Sequence, residues 1–191
     1  MPQNKLIRGT HIVPLLQHVQ STYDAETKQT IYGSLTDTTR TALGQLDSDV
    51  WYPASIVAEV NRCIFNAHGD PSKGYAAVRE TGAAIAEYGV NTFMRLLIKL
   101  MTPEMLAKKW PTIWGKSHNF GHMKTEMDST RDRWMSLTLS EVEDYSHIGP
   151  CVVGFISFSL KAMGRSQASV VEPNLDWTRE TAASYSFEVT W

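Results

Sequence analysis

The chain has 191 residues, 42% of them hydrophobic and 20% charged, with a formal net charge of −2. That balance suits one globular domain with a sizeable core and provides no basic footprint for nucleic acid or an anionic membrane surface. No run of about 18 apolar residues occurs, so no membrane span is expected; residues 1–16 lack the apolar core of a secretory signal, so a cytoplasmic location is the expectation.

The first elements read as helices. Ile12, Leu15, Leu16 and Val19 fall at helical spacing. Asp24 is placed to cap a short helix that Gly33 ends. Thr36 or Asp37 opens another, carrying Ala42, Leu43 and Leu46. Trp51-Tyr52-Pro53 reads as a turn into a helix with Pro53 at its first position and Ile56, Val60, Ile64 and Ala67 as its apolar stripe. Gly69-Asp70-Pro71 opens a long helical region over residues 72–101. Gly82 and Gly89 interrupt it, where a second helix or a ligand would approach closely. Residues 92–101 are too apolar for one narrow buried stripe and read as buried on most sides. Thr102 caps the next helix, Pro103 fits its first position and Glu104 suits its positive end. This helix carries Met105, Leu106, Trp110 and Trp114.

The period then changes from helical to alternating. Within residues 124–144, Trp134, Ser136, Thr138 and Ser140 alternate with Met135, Leu137 and Leu139, a strand or hairpin pattern. Residues 146–163 return to helix, with Val152, Phe155, Ile156, Ser159 and Leu160 on one side and Gly164 as the stop. Two strands follow at 168–172 and 184–191. Helices early and strands late predict an α+β domain spanning 1–191. A mostly helical part (1–118) precedes a strand-helix-strand part (119–191), in which a small antiparallel sheet of about four strands carries one late helix.

Few residues announce chemistry. Cys63 and Cys151 sit in apolar helical patterns and read as reduced, buried thiols. His118, His122 and Glu126 would form a metal face on a helix. Gly115, Asn119 and Gly121 make that segment a loop instead, so the histidines read as solvated and no metal is expected. His147 beside Asp144 and Tyr145 has the makings of an acid or base, although a polar residue at a helix entry is the plainer reading. No triad, Cys-His pair or paired carboxylates have identifying spacing, so no catalytic residue is assigned. Phe93, Leu97, Trp110, Trp114 and Phe155 are large apolar residues on helices expected to face one another. They form either a packed core or the walls of a cavity, in which Tyr145 and His147 would be the polar groups. Trp51, Trp177 and Trp191 fall outside that cluster and suggest an interface, such as that of a homodimer.

Ile7-Arg8-Gly9-Thr10, Trp51-Tyr52-Pro53, the Pro103 to Trp114 helix, Gly149-Pro150-Cys151-Val152-Val153-Gly154-Phe155 and the ending Tyr185-Ser186-Phe187-Glu188-Val189-Thr190-Trp191 span nearly the whole chain. In this order and spacing they resemble a superfamily that joins haem-nitric-oxide/oxygen-binding domains, 4-vinyl-reductase-like domains and TRAPP vesicle-tethering subunits. Within it they are most similar to a bacterial family of the myxobacterial type. In the haem-binding members a Pro-x-x-His step supplies the iron ligand; here the step is Pro111-x-x-Trp114, and an indole cannot ligate iron. Those members also hold the haem propionates with Tyr-x-Ser-x-Arg. The corresponding Val142-Glu143-Asp144-Tyr145-Ser146-His147 lacks the pattern and places two carboxylates where a cation is needed. Zinc-binding members use a glutamate with cysteines; Glu172 matches, but the thiolate positions read Leu175 and residues 183–185.

The resemblance therefore implies a non-enzymatic sensing or regulatory module without a cofactor. It would hold a small hydrophobic ligand other than haem among Phe93, Leu97, Trp110, Trp114, Tyr145, His147 and Phe155. No fused output domain is expected, so a signal would pass to a partner signalling protein or through a homodimer. The alternatives are a TRAPP-like interaction subunit with a closed pocket, and a tetrapyrrole-handling enzyme with Tyr145 or His147 as proton donor.

Overall fold

The computed structural model describes residues 4–89, 98–173, 175–176 and 179–191. Strand β1 (Leu6–Arg8) leads into α1 (Gly9–Thr22), α2 (Ala25–Gly33) and α3 (Asp37–Leu43). Strand β2 (Trp51–Pro53) precedes α4 (Ala54–Ala67), α5 (Pro71–Tyr88) and α6 (Pro103–Ser117). The remaining elements are β3 (His122–Met127), β4 (Trp134–Ser140), α7 (Ile148–Ala162), β5 (Ser169–Val171) and β6 (Ser184–Thr190). The fold is α+β with antiparallel sheets.

Capping sets the helix starts. Asp24, Thr36, Asp70 and Thr102 each accept a hydrogen bond from a first-turn backbone N–H, satisfying donors that a helix leaves free. Strands β3, β4, β6 and β5 form an antiparallel sheet in that order. Alternation along β4 and β6 turns Met135, Leu137, Leu139, Tyr185, Phe187 and Val189 inward, all at most 3% exposed. They join Val152, Val153, Ile156 and Leu160 of α7 in one apolar core.

Helices α5 and α7 cross with their backbones in contact. A Cβ on Gly82 would lie 1.9 Å from the Cys151 carbonyl oxygen, and one on Gly154 would lie 1.8 Å from that of Arg79. Each glycine thus receives the opposite backbone, and the close approach expected at Gly82 is made by a helix.

Three local expectations are corrected. Trp51-Tyr52-Pro53 is a strand, with Ile7 opposite Tyr52, and Pro53 is the cap residue before the helix. Backbone pairing with β1 overrides the turn chemistry of this tripeptide. The helix opened by Pro71 stops at Tyr88 with Gly89 as its cap residue, so Gly89 is a terminus and not an interruption. The predicted continuation through Thr92 and its neighbours lies outside the described residues up to residue 97. Gly115 lies inside α6 and does not break it.

Candidate functional site

The site is built from the C-terminal end of α6. Pro111 has no N–H to offer the Ala107 carbonyl one turn earlier. Thr125 on β3 donates its hydroxyl to that oxygen at 3.2 Å, which docks the helix on the sheet. The helix ends at Ser117 because His118 is extended (φ −132°, ψ 135°) and bridges to Ile7 of β1. Asn119 secures the junction: its N–H reaches the Leu6 carbonyl at 3.2 Å, and its Oδ1 accepts from the Leu6 N–H at 2.6 Å. Strand β1 runs directly into α1, so His11 is brought against His118.

A cavity of about 40 Å³ lies where α1, α5, α6 and α7 meet the sheet. Trp110 and Trp114 of α6, Phe155 of α7 and Tyr145 line it, together with His11, Ile85, His118 and Cys151. The wall is aromatic and ordered by edge and face contacts. The rings of Trp114 and His118 are stacked with centroids 3.7 Å apart, and His11 meets His118 edge-on at 5.0 Å. The Trp114 indole N–H donates to the Phe120 carbonyl at 2.8 Å.

Burial keeps the polar groups of this wall uncharged. It lowers His11 to about 4 and His118 well below 6.5, the latter also through its neighbour His11. It raises the Tyr145 hydroxyl well above 10 and the Cys151 thiol to about 12. Charged side chains are absent from the lining among the described residues. Glu143 and Asp144 pair with Lys5, at 3.4 and 2.9 Å, on the outside.

Of the predicted pocket residues, Trp110, Trp114, Tyr145 and Phe155 come together around this cavity. Phe93 and Leu97 lie outside the described residues. His147 lies elsewhere: it lines a second space of about 10 Å³ with Phe65, Glu172, Arg179 and Tyr185. Its ring stacks on Phe65 at 4.0 Å, and its backbone, at φ 51°, donates to Glu180 at 2.8 Å. The left-handed turn rotates it away from Tyr145. There Glu172 pairs with Arg179.

The reading of His118 and His122 as loop residues is corrected. His118 is 4% exposed and part of the cavity wall, whereas His122 is exposed on β3 and pairs with Glu141. Among the described residues no cluster suits a metal ion. His118 is the site residue that sequence reasoning missed, and a signal existed: Trp110, Trp114 and His118 are spaced i, i+4, i+8, one row along a helix. His11 gave no comparable signal.

No family model matches the chain and no curated protein matches it. Its backbone is similar to several solved structures. The Fe(II) unliganded H-NOX protein from K. algicida is 12% identical, with a TM-score of 0.68 over 96% of each chain. The H-NOX protein from S. oneidensis in the Fe(II)NO ligation state is 11% identical, with a TM-score of 0.67 over 96% of this chain and 98% of the other. That from Shewanella woodyi in the Fe(II)CO ligation state is 12% identical, with a TM-score of 0.61 over 95% and 93%. Among the described residues no helix is long and apolar enough to cross a membrane. At these identities the likeness establishes architecture, and the chain has the H-NOX fold.

Proposed function

We propose that this protein is a non-enzymatic sensing module. Its ligand is a small, predominantly hydrophobic molecule other than haem, held in the cavity between α1, α5, α6 and α7. The observation that carries the reading is the cavity itself: an apolar, aromatic-walled space in a fold whose solved members are described with bound diatomic ligands. Concave apolar space with a few convergent polar groups is the usual form of a small-ligand site.

The residues present do not suit a haem. A cavity of about 150 Å³ takes one benzene, and this one measures about 40 Å³. Trp114 itself offers no basic nitrogen; the imidazoles of the wall are those of His11 and His118, and the Trp114 ring lies flat on the latter. The carboxylates of Glu143 and Asp144 stand beside Tyr145, where propionates would be repelled. The signal would pass to a partner protein or a second copy of this chain.

Purified protein from cells supplied with a haem precursor is expected to show no Soret band, while native mass spectrometry shows a co-purified small molecule. A stoichiometric Soret band would overturn the haem-free reading. Failure to bind any small probe in the cavity would overturn the sensing reading.

A further inference from the structure

Strand β3 is an edge of the four-stranded sheet. An edge strand presents a row of unpaired N–H and C=O groups, a template for another strand unless something blocks it. Residues 122–127 contain no proline, and their register with β4 runs without a bulge from His122 opposite Ser140 to Met127 opposite Met135. Among the described residues, no backbone hydrogen bond reaches β3 from any element but β4. A lysine often guards an edge through its charge. Here Lys124 Nζ lies 2.5 Å from Glu126 Oε1, two residues on along the same face, so that charge is matched in place. The side chains of His122, Lys124 and Glu126 are 76%, 73% and 62% exposed, and this face of the strand is open to solvent.

A two-fold axis perpendicular to the sheet joins two such edges antiparallel and keeps both α6-bearing faces on one side. The axis must pass through a residue, because residues directly opposed across a pair share a face while neighbours along a strand do not. Centred on Lys124, it opposes the two lysines; centred on Glu126, it opposes the two glutamates. Like charges directly opposed are destabilising, and unlike charges are favourable. Centred on Thr125, the axis places Lys124 opposite Glu126 of the second copy, twice by symmetry, and Met123 opposite Met127. Thr125 bonds to α6, so these methionines lie on the inner face. Met127 is 43% exposed and Met123 lines the cavity, so this register covers an apolar side chain and brings the second copy beside the site.

We propose that β3 is an interface for a second copy of this chain. The copy adds its own β3 antiparallel, centred on Thr125, and two four-stranded sheets become one continuous sheet. The open edge supplies the backbone pairing, and the self-complementary charges of Lys124 and Glu126 select the register. The inference goes beyond the sensing reading and is independent of what the cavity holds.

The test is sedimentation velocity of the full chain from micromolar to millimolar concentration at physiological salt, where a dimer is expected. Lys124→Glu sets two pairs of carboxylates against each other in this register, and Glu126→Lys sets two pairs of ammonium groups. Each alone is expected to weaken dimerisation by about tenfold or more. The double variant opposes unlike charges again in the reverse sense, as does an equimolar mixture of the two single variants. Both are expected to associate as the native chain does. In the native chain, amide exchange within residues 122–127 is expected to slow as the concentration rises, while β5 at the opposite edge is unchanged; this readout needs no variant to fold. A chain that stays monomeric to millimolar concentration overturns the inference. So does a dimer that leaves β3 exchange unchanged, that the single variants do not weaken, or that the double variant fails to restore.

Discussion

Trp114 and His118 lie face to face one turn apart, with ring planes 3° from parallel and centroids 3.7 Å apart. Each also holds a backbone carbonyl, Trp114 that of Phe120 and His118 that of Trp114. Trp114→Phe keeps the stacking but removes the donor and should lower unfolding free energy by about 1 kcal/mol. Trp114→Ala also empties a site that is 7% exposed and should cost about 3–5 kcal/mol. Urea unfolding of the three proteins checks the order, and equal stability of the native protein and Trp114→Phe would deny the hydrogen bond any weight.

The crossing of α5 and α7 makes a second expectation. Gly82→Ala places a methyl 1.9 Å from the Cys151 carbonyl, which neither helix can yield without moving. A loss of about 1–3 kcal/mol or more follows. Gly115→Ala is the matched control, since among the described residues nothing lies within 4 Å of its added carbon. That change should stabilise the chain by about 1 kcal/mol, because alanine is the better helix former. Thermal melts should move in opposite directions, by about 2–4 °C per kcal/mol at this chain length.

The same glycines show where the sequence is legible. Thr102-Pro103 and Asp70-Pro71 mark helix starts through local chemistry, and the alternation at residues 134–140 marks the buried face of a strand. Trp110, Trp114 and Phe155 are recognisable as inward residues from size and spacing alone. Gly115 misleads because its cost, about 1 kcal/mol, is outweighed by the buried face of α6, including Leu106, Ala107, Trp110 and Trp114. Strands β1 and β2 are three residues each and pair across more than forty residues, leaving no period to count. The end of α6 depends on the bridge from His118 to Ile7 of β1, and so does the burial of His118.

Burial of two neutral histidines gives a pH dependence of definite sign. In the unfolded chain His11 takes a proton near pH 6.5, but in the folded chain only near 4. His118 is shifted in the same direction by burial and by His11. Between these values the unfolded state binds more protons, so stability rises with pH. The contribution is intact above pH 6.5 and declines as the pH falls toward 4, by up to about 1.4 kcal/mol per unit for each histidine. His11→Gln should make this decline shallower in urea titrations between pH 4 and 7. A parallel dependence in both proteins would mean that His11 is protonated in the folded state.

Cys151 should be chemically silent in the native protein. Its thiol is raised to about 12 by burial, and Cys63 is raised by burial and by the charge of Glu59. Thiolate is the reactive form, so iodoacetamide at pH 8 should leave both unmodified and label both in urea. Mass spectrometry of the intact chain reads the result. Rapid native labelling of Cys151 would show that the cavity opens to solvent on the timescale of the reaction.

The docking of α6 on β3 can be isolated from packing through the Ala107 carbonyl. Ala107 is fully buried, Pro111 cannot donate to it, and Thr125 Oγ1 does so at 3.2 Å. Thr125→Val preserves shape and leaves the carbonyl unpaired, at an expected cost of about 1–3 kcal/mol. Pro111→Ala restores the N–H that the helix lacks, so the same carbonyl regains a partner within α6. In that background Thr125→Val should cost about 1 kcal/mol less, and the difference is the coupling between the two positions. Equal costs in both backgrounds would mean that the hydroxyl contributes only packing. The coupling bears on the site, because α6 sets Trp110, Trp114 and His118 in one row. If this hydrogen bond fixes the pitch of that row, Thr125→Val should shift the Trp110 indole resonance while the distant β6 resonances stay in place.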